Sequence, residues 1–200
     1  MSKRQSDSNN ANHDNNQYKK KIKYNYSDVS DLLDIFKSVG IDINKKDDNG
    51  LTPLMKAIKK KNIALVLALI NAGADVNKQD EDGSTALMYA AQFGDEHGAG
   101  MINLLVDAKA DVNKQDEAGQ TALMIAAQYG GKHGAGMIKI LVDAGADANK
   151  QNKYGSTALI FVAKYGGEHA AEMIKILLDA GADANKQSKL GNTALMWAAR

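Results

Sequence analysis

Three histidines recur at one spacing and are the side chains best suited to metal binding or proton transfer. His97, His133 and His169 lie 36 residues apart, and each has an acid or a lysine beside it. A spacing this regular indicates stacked helical units, whose equivalent positions lie roughly 8–10 Å apart. Zinc requires its ligand nitrogens about 2.0–2.1 Å from one point. The three imidazoles therefore cannot share an ion, and we expect neither a metal site nor a cofactor.

The sequence contains no other grouping typical of catalysis. It has no cysteine, which excludes disulfides, thiolate catalysis and cysteine-based zinc sites. Ser84 and Ser156 fall in turns, without the base and orienting group that would make them nucleophiles. The glycines from Gly94 to Gly100 lack the sequence context of a phosphate-binding loop. We therefore expect no enzyme activity, no catalytic residue and no small-molecule substrate.

The elements that position these residues are copies of one motif. Asp75-Val76-Asn77-Lys78-Gln79-Asp80 is followed by Gly83-Ser84-Thr85-Ala86-Leu87-Met88, and both parts return further along the chain. The threonines of these copies fall 36 residues apart, at Thr85, Thr121, Thr157 and Thr193. An earlier copy contains Thr52, which precedes Thr85 by 33 residues. Self-similarity with a period of roughly 20–50 residues predicts a stacked array.

Each full unit reads as a turn followed by two helices. A glycine permits positive φ in the turn, and a threonine follows as a helix N-cap. The first helix is short and Ala-rich, and the second is more aliphatic and ends before a glycine. Lys109 stands where the other units carry that glycine. A side chain held at positive φ there costs on the order of 1 kcal/mol.

The motif resembles that of the ankyrin-repeat family. Asp48-Asn49-Gly50-Leu51-Thr52-Pro53-Leu54 and Gly73-Ala74-Asp75-Val76-Asn77 match it directly, and the resemblance covers about residues 27–200. It implies an all-α solenoid of stacked helix–turn–helix units with projecting β-turns. The sequence keeps the motif's proline only as Pro53. Its histidine is replaced, which implies apolar packing at Met55, Met88, Met124, Ile160 and Met196.

The copies predict the organisation of the whole chain. Residues 1–26 form a disordered polar tail, because they contain too few aliphatic side chains to offset the entropy of ordering. A capping half-repeat covers 27–44, with Ser27 as its N-cap and Gly40 as its stop. Full repeats cover 48–77, 81–113, 117–149 and 153–185, and a partial repeat covers 189–200. The chain stops inside a first helix, which favours a fragment of a longer array over a frayed or partner-covered end.

The three middle units carry three extra residues between their helices, within 94–100, 130–136 and 166–172. In the third copy, Glu168 to Glu172 are helix formers, so we expect the insertion to lengthen the second helix at its start. The glycines of the other two copies cost about 1 kcal/mol each relative to alanine in a helix. In those copies a loop and a longer helix remain alternatives.

Two sets of side chains are candidates for binding, since the resemblance implies that they face a concave groove. The turn positions are Glu81, Asp82, Ala118, Lys153 and Tyr154. The helix-end positions are Gln92, Phe93, Gln128, Tyr129, Lys164 and Tyr165. The aromatic row Phe93, Tyr129 and Tyr165 forms a binding ladder or packs onto the enlarged turn between helices, and both interpretations stay open. Tyr89, Ile125, Phe161 and Trp197 are expected to be partly buried between units.

The predicted function is non-catalytic binding of an unidentified protein partner through the groove, as ankyrin arrays generally do. A net charge of +1 indicates no bulk attraction to nucleic acid or to anionic lipid. No apolar run approaches the roughly 18 residues that span a bilayer. A cytoplasmic location is expected, or a host cell, where arrays of this kind are often deployed, if a non-standard signal exports the chain. The alternative is that the basic run Lys19 to Lys23 makes the tail a nucleic-acid or membrane tether, although we favour a solvated linker.

Overall fold

A computed structural model describes residues 40, 42–93 and 95–199. The chain divides into two units, Met1–Ile41 and Asp42–Arg200. Of the first unit only Gly40 is described, with a φ of 69°. The predicted tail, its basic run and the helix of the half-repeat lie outside the described residues.

Nine α-helices and two short 3₁₀ helices make up the secondary structure of the described residues, with no strand. The first helices of the successive units are α1 (Pro53–Lys59), α3 (Ala86–Ala91), α5 (Ala122–Tyr129), α7 (Ala158–Tyr165) and α9 (Ala194–Ala198). The second helices are α2 (Ile63–Asn71), α4 (Glu96–Asp107), α6 (Gly134–Asp143) and α8 (Ala170–Asp179). The 3₁₀ helices Gly131–His133 and Gly167–His169 precede α6 and α8.

The helices of unit Asp42–Arg200 pack in two rows. In one row α1, α3, α5, α7 and α9 contact one another in sequence, and in the other α2, α4, α6 and α8 do so. Each second helix also packs on the first helix of its own unit. This all-α stack confirms the predicted solenoid, in which each unit buries its apolar face against its neighbours.

Threonine caps start all five first helices, as the sequence predicts. The side-chain oxygen of Thr121 accepts a hydrogen bond from the backbone N–H of Met124 at 3.3 Å, and the other four threonines do the same. This bond satisfies one of the N–H groups that the first turn of a helix leaves unpaired.

Four of the five residues that replace the family histidine are buried, including Met55 at 0% exposed, whereas Met196 is 50% exposed and departs from the predicted packing. Met88 and Met124 are each 1% exposed, and Ile160 is 3% exposed. The sulfur of Met88 also accepts the backbone N–H of Thr85 at 3.4 Å. Thioether sulfur is a weak acceptor, so the predicted packing is supplemented by a weak hydrogen bond.

The insertions adopt helical structure, but the prediction for the third copy is wrong in detail. There a 3₁₀ turn precedes α8, which begins only at Ala170 and is no longer than α6. The α-helical extension occurs in the first copy, where α4 begins at Glu96 and has 12 residues. The carboxylate of Asp95 caps α4 by accepting the backbone N–H groups of His97 and Gly98. The other copies have glycine at that position, so they lack this cap.

Asparagine side chains connect each unit to the next along one edge. Asn113 Oδ1 accepts the backbone N–H of Asp147 at 2.8 Å, and Asn113 Nδ2 donates to the carbonyl of Gly145 at 2.9 Å. Asn77 and Asn149 make the same pair of bonds to their following units. The Asn of the Gly-Ala-Asp-x-Asn motif is therefore an interunit clamp.

The turns are also bonded to one another. The backbone N–H of Lys153 donates to the carbonyl of Ala118 at 2.9 Å, and the N–H of Lys189 donates to the carbonyl of Tyr154 at 2.8 Å. These bonds hold the tips of successive turns side by side. They fix the spacing of whatever side chains the tips present.

Candidate functional site

A groove of about 470 Å³ opens beside α7 and α9, within the range of ligand-binding clefts. We call it the α7–α9 groove. From the two helices it is lined by Ile160, Phe161, Lys164, Tyr165 and Trp197. From the turns it is lined by Asn152, Tyr154, Ser156, Ser188, Lys189, Leu190 and Asn192. Gln120 and Gln128 of the preceding unit complete the lining.

Aromatic rings form the helical wall of the α7–α9 groove and hold a cation. The rings of Phe161 and Tyr165, one helical turn apart, are stacked with centroids 6.1 Å apart. The ammonium of Lys164 lies 4.8 Å from the centroid of Tyr165 and 4.6 Å from that of Trp197. Both distances are within the range of cation–π attraction. The positive charge of Lys164 thus lies close to two rings at the groove.

Two exposed apolar side chains form the opposite wall. Tyr154 is 68% exposed and Leu190 is 86% exposed, at equivalent positions of adjacent turns. The Asn152 side chain shapes the first turn by accepting the backbone N–H groups of Tyr154 and Ser156. The turn conformation is therefore fixed by a buried side chain.

The charge of the turn tips reverses along the array. The residue two before the turn glycine is Glu81 and Glu117 in the second and third units, and Lys153 and Lys189 in the last two. The residue three before the glycine is Asp80 in the second unit and Asn152 in the fourth. The turn edge is therefore acidic in its earlier part and basic at the α7–α9 groove.

Tyr89 of α3 is equivalent to Phe161 of α7, but its contacts are different. The hydroxyl of Tyr89 donates to Asp80 Oδ2 at 2.6 Å. Burial, followed by the hydrogen bond and charge of Asp80, holds the pKa of Tyr89 above its ordinary range. Lys59 lies 5.0 Å from the centroid of the same ring. These contacts occupy the Tyr89 hydroxyl and the Asp80 carboxylate, whereas Phe161 has no hydroxyl and Asn152 has no carboxylate at the equivalent positions.

A family model described as Ankyrin repeats (3 copies) matches residues 22–116, 96–167 and 131–200. The chain belongs to the ankyrin-repeat family. Comparison with curated proteins gives no match. Ankyrin repeats are generally protein–protein interaction modules, and the family is typically non-catalytic.

The ankyrin array separates the three members of the predicted aromatic row. Phe93 is half-buried and packs against the core, with the Lys61 ammonium 4.7 Å from its centroid. Tyr129 is 52% exposed and does not line the α7–α9 groove, whereas Tyr165 is 45% exposed and does. Phe93 is therefore packed against the core, whereas the side chains of Tyr129 and Tyr165 are exposed.

The remaining predicted binding residues fall into two groups. Gln128, Lys164 and Tyr154 line the α7–α9 groove. The others are exposed on the array outside its lining, at Glu81, Asp82, Gln92 and Lys153. Ala118 is half-buried in its turn. The structure thus brings Tyr154, Lys164 and Tyr165 together and leaves the acidic turn residues apart from them.

Ten of the fourteen lining residues were not among the predicted binding residues, and Phe161, Trp197, Lys189 and Leu190 are four of these ten. Phe161 and Trp197 are half-buried as expected, yet each also presents a face to the α7–α9 groove. Lys189 and Leu190 occupy the turn positions that Lys153 and Tyr154 occupy one unit earlier. The sequence contains the signal for both residues, because the partial repeat has the same turn positions as the full repeats.

The histidines do not converge in the ankyrin array. Among the described residues, no group of three or more His, Cys, Asp or Glu side chains could hold a metal ion. His97 Nδ1 lies 3.6 Å from Asp95 Oδ2, and His169 Nε2 lies 3.4 Å from Glu168 Oε1. Each of these two histidines is thus placed beside a residue of its own insertion. None of the helices in the described ranges is long and apolar enough to cross a membrane.

Proposed function

We propose that this ankyrin array binds a protein partner, without catalysis, through the surface lined by its turns and first helices. The proposed binding residues are Gln92, Phe93, Gln128, Tyr129, Lys164, Tyr165, Glu81, Asp82, Lys153 and Tyr154. The observation that carries the proposal is the α7–α9 groove of about 470 Å³ with its aromatic wall.

The chemistry of that groove supports a protein ligand. Tyr154 and Tyr165 present large rigid surfaces with few rotatable bonds, and such side chains are enriched among interface residues that dominate binding energy. Tyr154, Leu190 and Tyr165 all remain substantially exposed. Exposed apolar clusters of this kind mark interaction sites.

The test is site-specific photo-crosslinking in a cell lysate. A photo-reactive amino acid replaces Tyr154 in the α7–α9 groove, and in a matched control it replaces Lys175 on α8, which is also exposed. We expect the groove position to capture a discrete protein that the control position does not capture. Equal capture at the two positions would contradict the proposal.

A second test uses the aromatic side chains directly. Tyr129→Ala combined with Tyr165→Ala should abolish capture of that protein while leaving the circular dichroism spectrum unchanged. The matched control is Lys139→Ala combined with Lys175→Ala on the second helices. Capture that survives the tyrosine changes but is salt-sensitive and lost on deleting residues 1–26 would instead support the tail as a tether.

A further inference from the structure

The α7–α9 groove is positively charged. Lys164 and Lys189 line it, and none of the described residues that line it is acidic. Lys153 lies between two lining residues, Asn152 and Tyr154, and is exposed. A ligand that enters the groove therefore meets ammonium groups without a competing carboxylate on the walls.

The position of the Lys164 ammonium favours an anion of the ligand. Its distances of 4.8 Å and 4.6 Å to the ring centroids of Tyr165 and Trp197 place it within cation–π range of both rings. A ring face attracts the ammonium but supplies no carboxylate oxygen to its N–H donors. The held lysine loses less rotamer entropy when it binds a carboxylate than a freely moving one would.

The wall of the groove that the turns form favours a ligand with an apolar group. Tyr154 and Leu190 are 68% and 86% exposed and lie on adjacent turns joined by the Lys189 N–H bond to the Tyr154 carbonyl. A large apolar side chain of the ligand, placed against them and against Phe161, would remove apolar surface from water. Each such side chain contributes favourably in proportion to the area buried.

A nucleic acid fits this surface less well than a peptide. A polyphosphate backbone that continued past the groove along the turn edge would meet Glu117 and then Glu81 and Asp82, which are exposed. Like charges at those positions repel it. A short segment confined to the turn tips of the last two units meets Lys153 and Lys189 and no acidic residue.

We propose that the α7–α9 groove binds a short acidic segment of the partner protein that also carries one large apolar or aromatic side chain. This inference rests on the proposed function, because it names the partner chemistry of the same surface. The carboxylates of the segment pair with Lys164 and Lys189, and its apolar side chain packs against Tyr154 and Leu190.

The test begins with selection from a library of random linear peptides on the full chain. Trp197 is the single tryptophan of the sequence and lines the groove, so its fluorescence reports occupancy directly. We expect the enriched peptides to combine acidic residues with a large apolar side chain and to change Trp197 emission. Enrichment of neutral or basic peptides, or recovery of no binding peptide, would overturn the inference.

Charge reversal then tests the assigned lysines with a selected acidic peptide. Lys164→Glu combined with Lys189→Glu should weaken its affinity at least roughly tenfold, since it replaces attraction with repulsion. The matched control is Lys132→Glu combined with Lys139→Glu, which changes the net charge equally at exposed positions outside the groove. Equal weakening by both pairs of changes, or tighter binding of single-stranded oligo-deoxythymidine than of the peptide, would contradict the assignment.

The outcomes separate this inference from the proposed function. Selected peptides that are not acidic but change Trp197 emission and lose binding in Tyr165→Ala would leave the groove as a protein-binding surface and remove only the acidic assignment. Peptides that bind without changing Trp197 emission, and equally well to Tyr165→Ala, would remove both.

Discussion

Lys61 Nζ lies 2.6 Å from Asp95 Oδ2. This ion pair links the connection between α1 and α2 to the insertion of the next unit. Asp95 is also the N-cap of α4, so a single carboxylate starts a helix and pairs across units. The same ammonium lies 4.7 Å from the ring centroid of Phe93. This junction distinguishes the first insertion from the other two, which have glycine at the position of Asp95.

Replacing Asp95 should separate its two roles. Asp95→Ala should lower the free energy of unfolding by about 1 kcal/mol, because it removes a helix cap. Asp95→Asn should cost less, since an amide oxygen still caps and the exposed pair with Lys61 contributes only about 0–1 kcal/mol. Urea denaturation monitored by circular dichroism measures both. Equal losses in the two variants would show that the cap contributes nothing.

The pair should also make stability depend on pH. Burial raises the pKa of Asp95, but hydrogen bonds from Lys61 and the Gly98 backbone, with the charges of Lys61 and His97, outweigh it and hold the pKa below its ordinary value. A lowered carboxylate pKa stabilises the fold above the unfolded value of about 3.9, and this stabilisation is lost as the pH falls through the folded pKa. The stability advantage of the wild type over Asp95→Asn should therefore narrow below about pH 4. An advantage that is constant down to the folded pKa would contradict this.

Lys109 has the left-handed conformation that the sequence predicts, with a φ of 66°. Lys109→Gly should raise the melting temperature, because it removes a strain of about 1–2 kcal/mol, partly offset by the greater freedom of glycine in the unfolded chain. The matched control is Gly145→Lys, at the same position of the next unit. Gly145 has a φ of 89°, and a Cβ added there would meet nothing within 4 Å, so its replacement should lower the melting temperature through backbone strain alone. An unchanged value for Lys109→Gly would show that the strain is relieved elsewhere.

The asparagine clamp should contribute to stability only where a following unit receives it. Asn113→Ala removes the bonds to Asp147 and Gly145 and should cost about 1–2 kcal/mol. Asn185 is the equivalent residue of the last full unit, and among the described residues its side chain makes no such pair of bonds. Asn185→Ala should therefore change the free energy of unfolding by much less. Similar losses for the two variants in chemical denaturation would argue against the clamp.

Because adjacent turns approach closely, replacing Gly119 should destabilise the protein more than replacing Gly191. Gly119 and Gly191 have φ values of 75° and 76°, so alanine is strained equally at both. A Cβ on Gly119 would lie 2.9 Å from the Lys153 nitrogen, whereas one on Gly191 would meet nothing within 4 Å. Gly119→Ala should therefore cost at least about 1 kcal/mol more than Gly191→Ala. Differential scanning calorimetry measures the difference, and equal melting temperatures would contradict the close approach.

The sequence by itself determined the features that depend on local chemistry and on the repeat. The Thr121 cap, the left-handed Lys109 and the stacked all-α array follow from residue types at fixed positions in a unit. Each needs only the backbone preferences of neighbouring residues, together with the fact that equivalent positions of a stack face the same way.

The tertiary structure decided what depends on contacts between units. Phe93 packs against the core beneath the ammonium of Lys61, and the same ammonium pairs with Asp95, the cap from which α4 begins. Besides the ring of Tyr165 on its own helix, the Lys164 ammonium contacts the ring of Trp197, which belongs to the next unit. No local pattern contains these contacts between units, since each joins residues more than 30 positions apart in the chain. The α7–α9 groove is therefore a property of packed units and of no single unit alone.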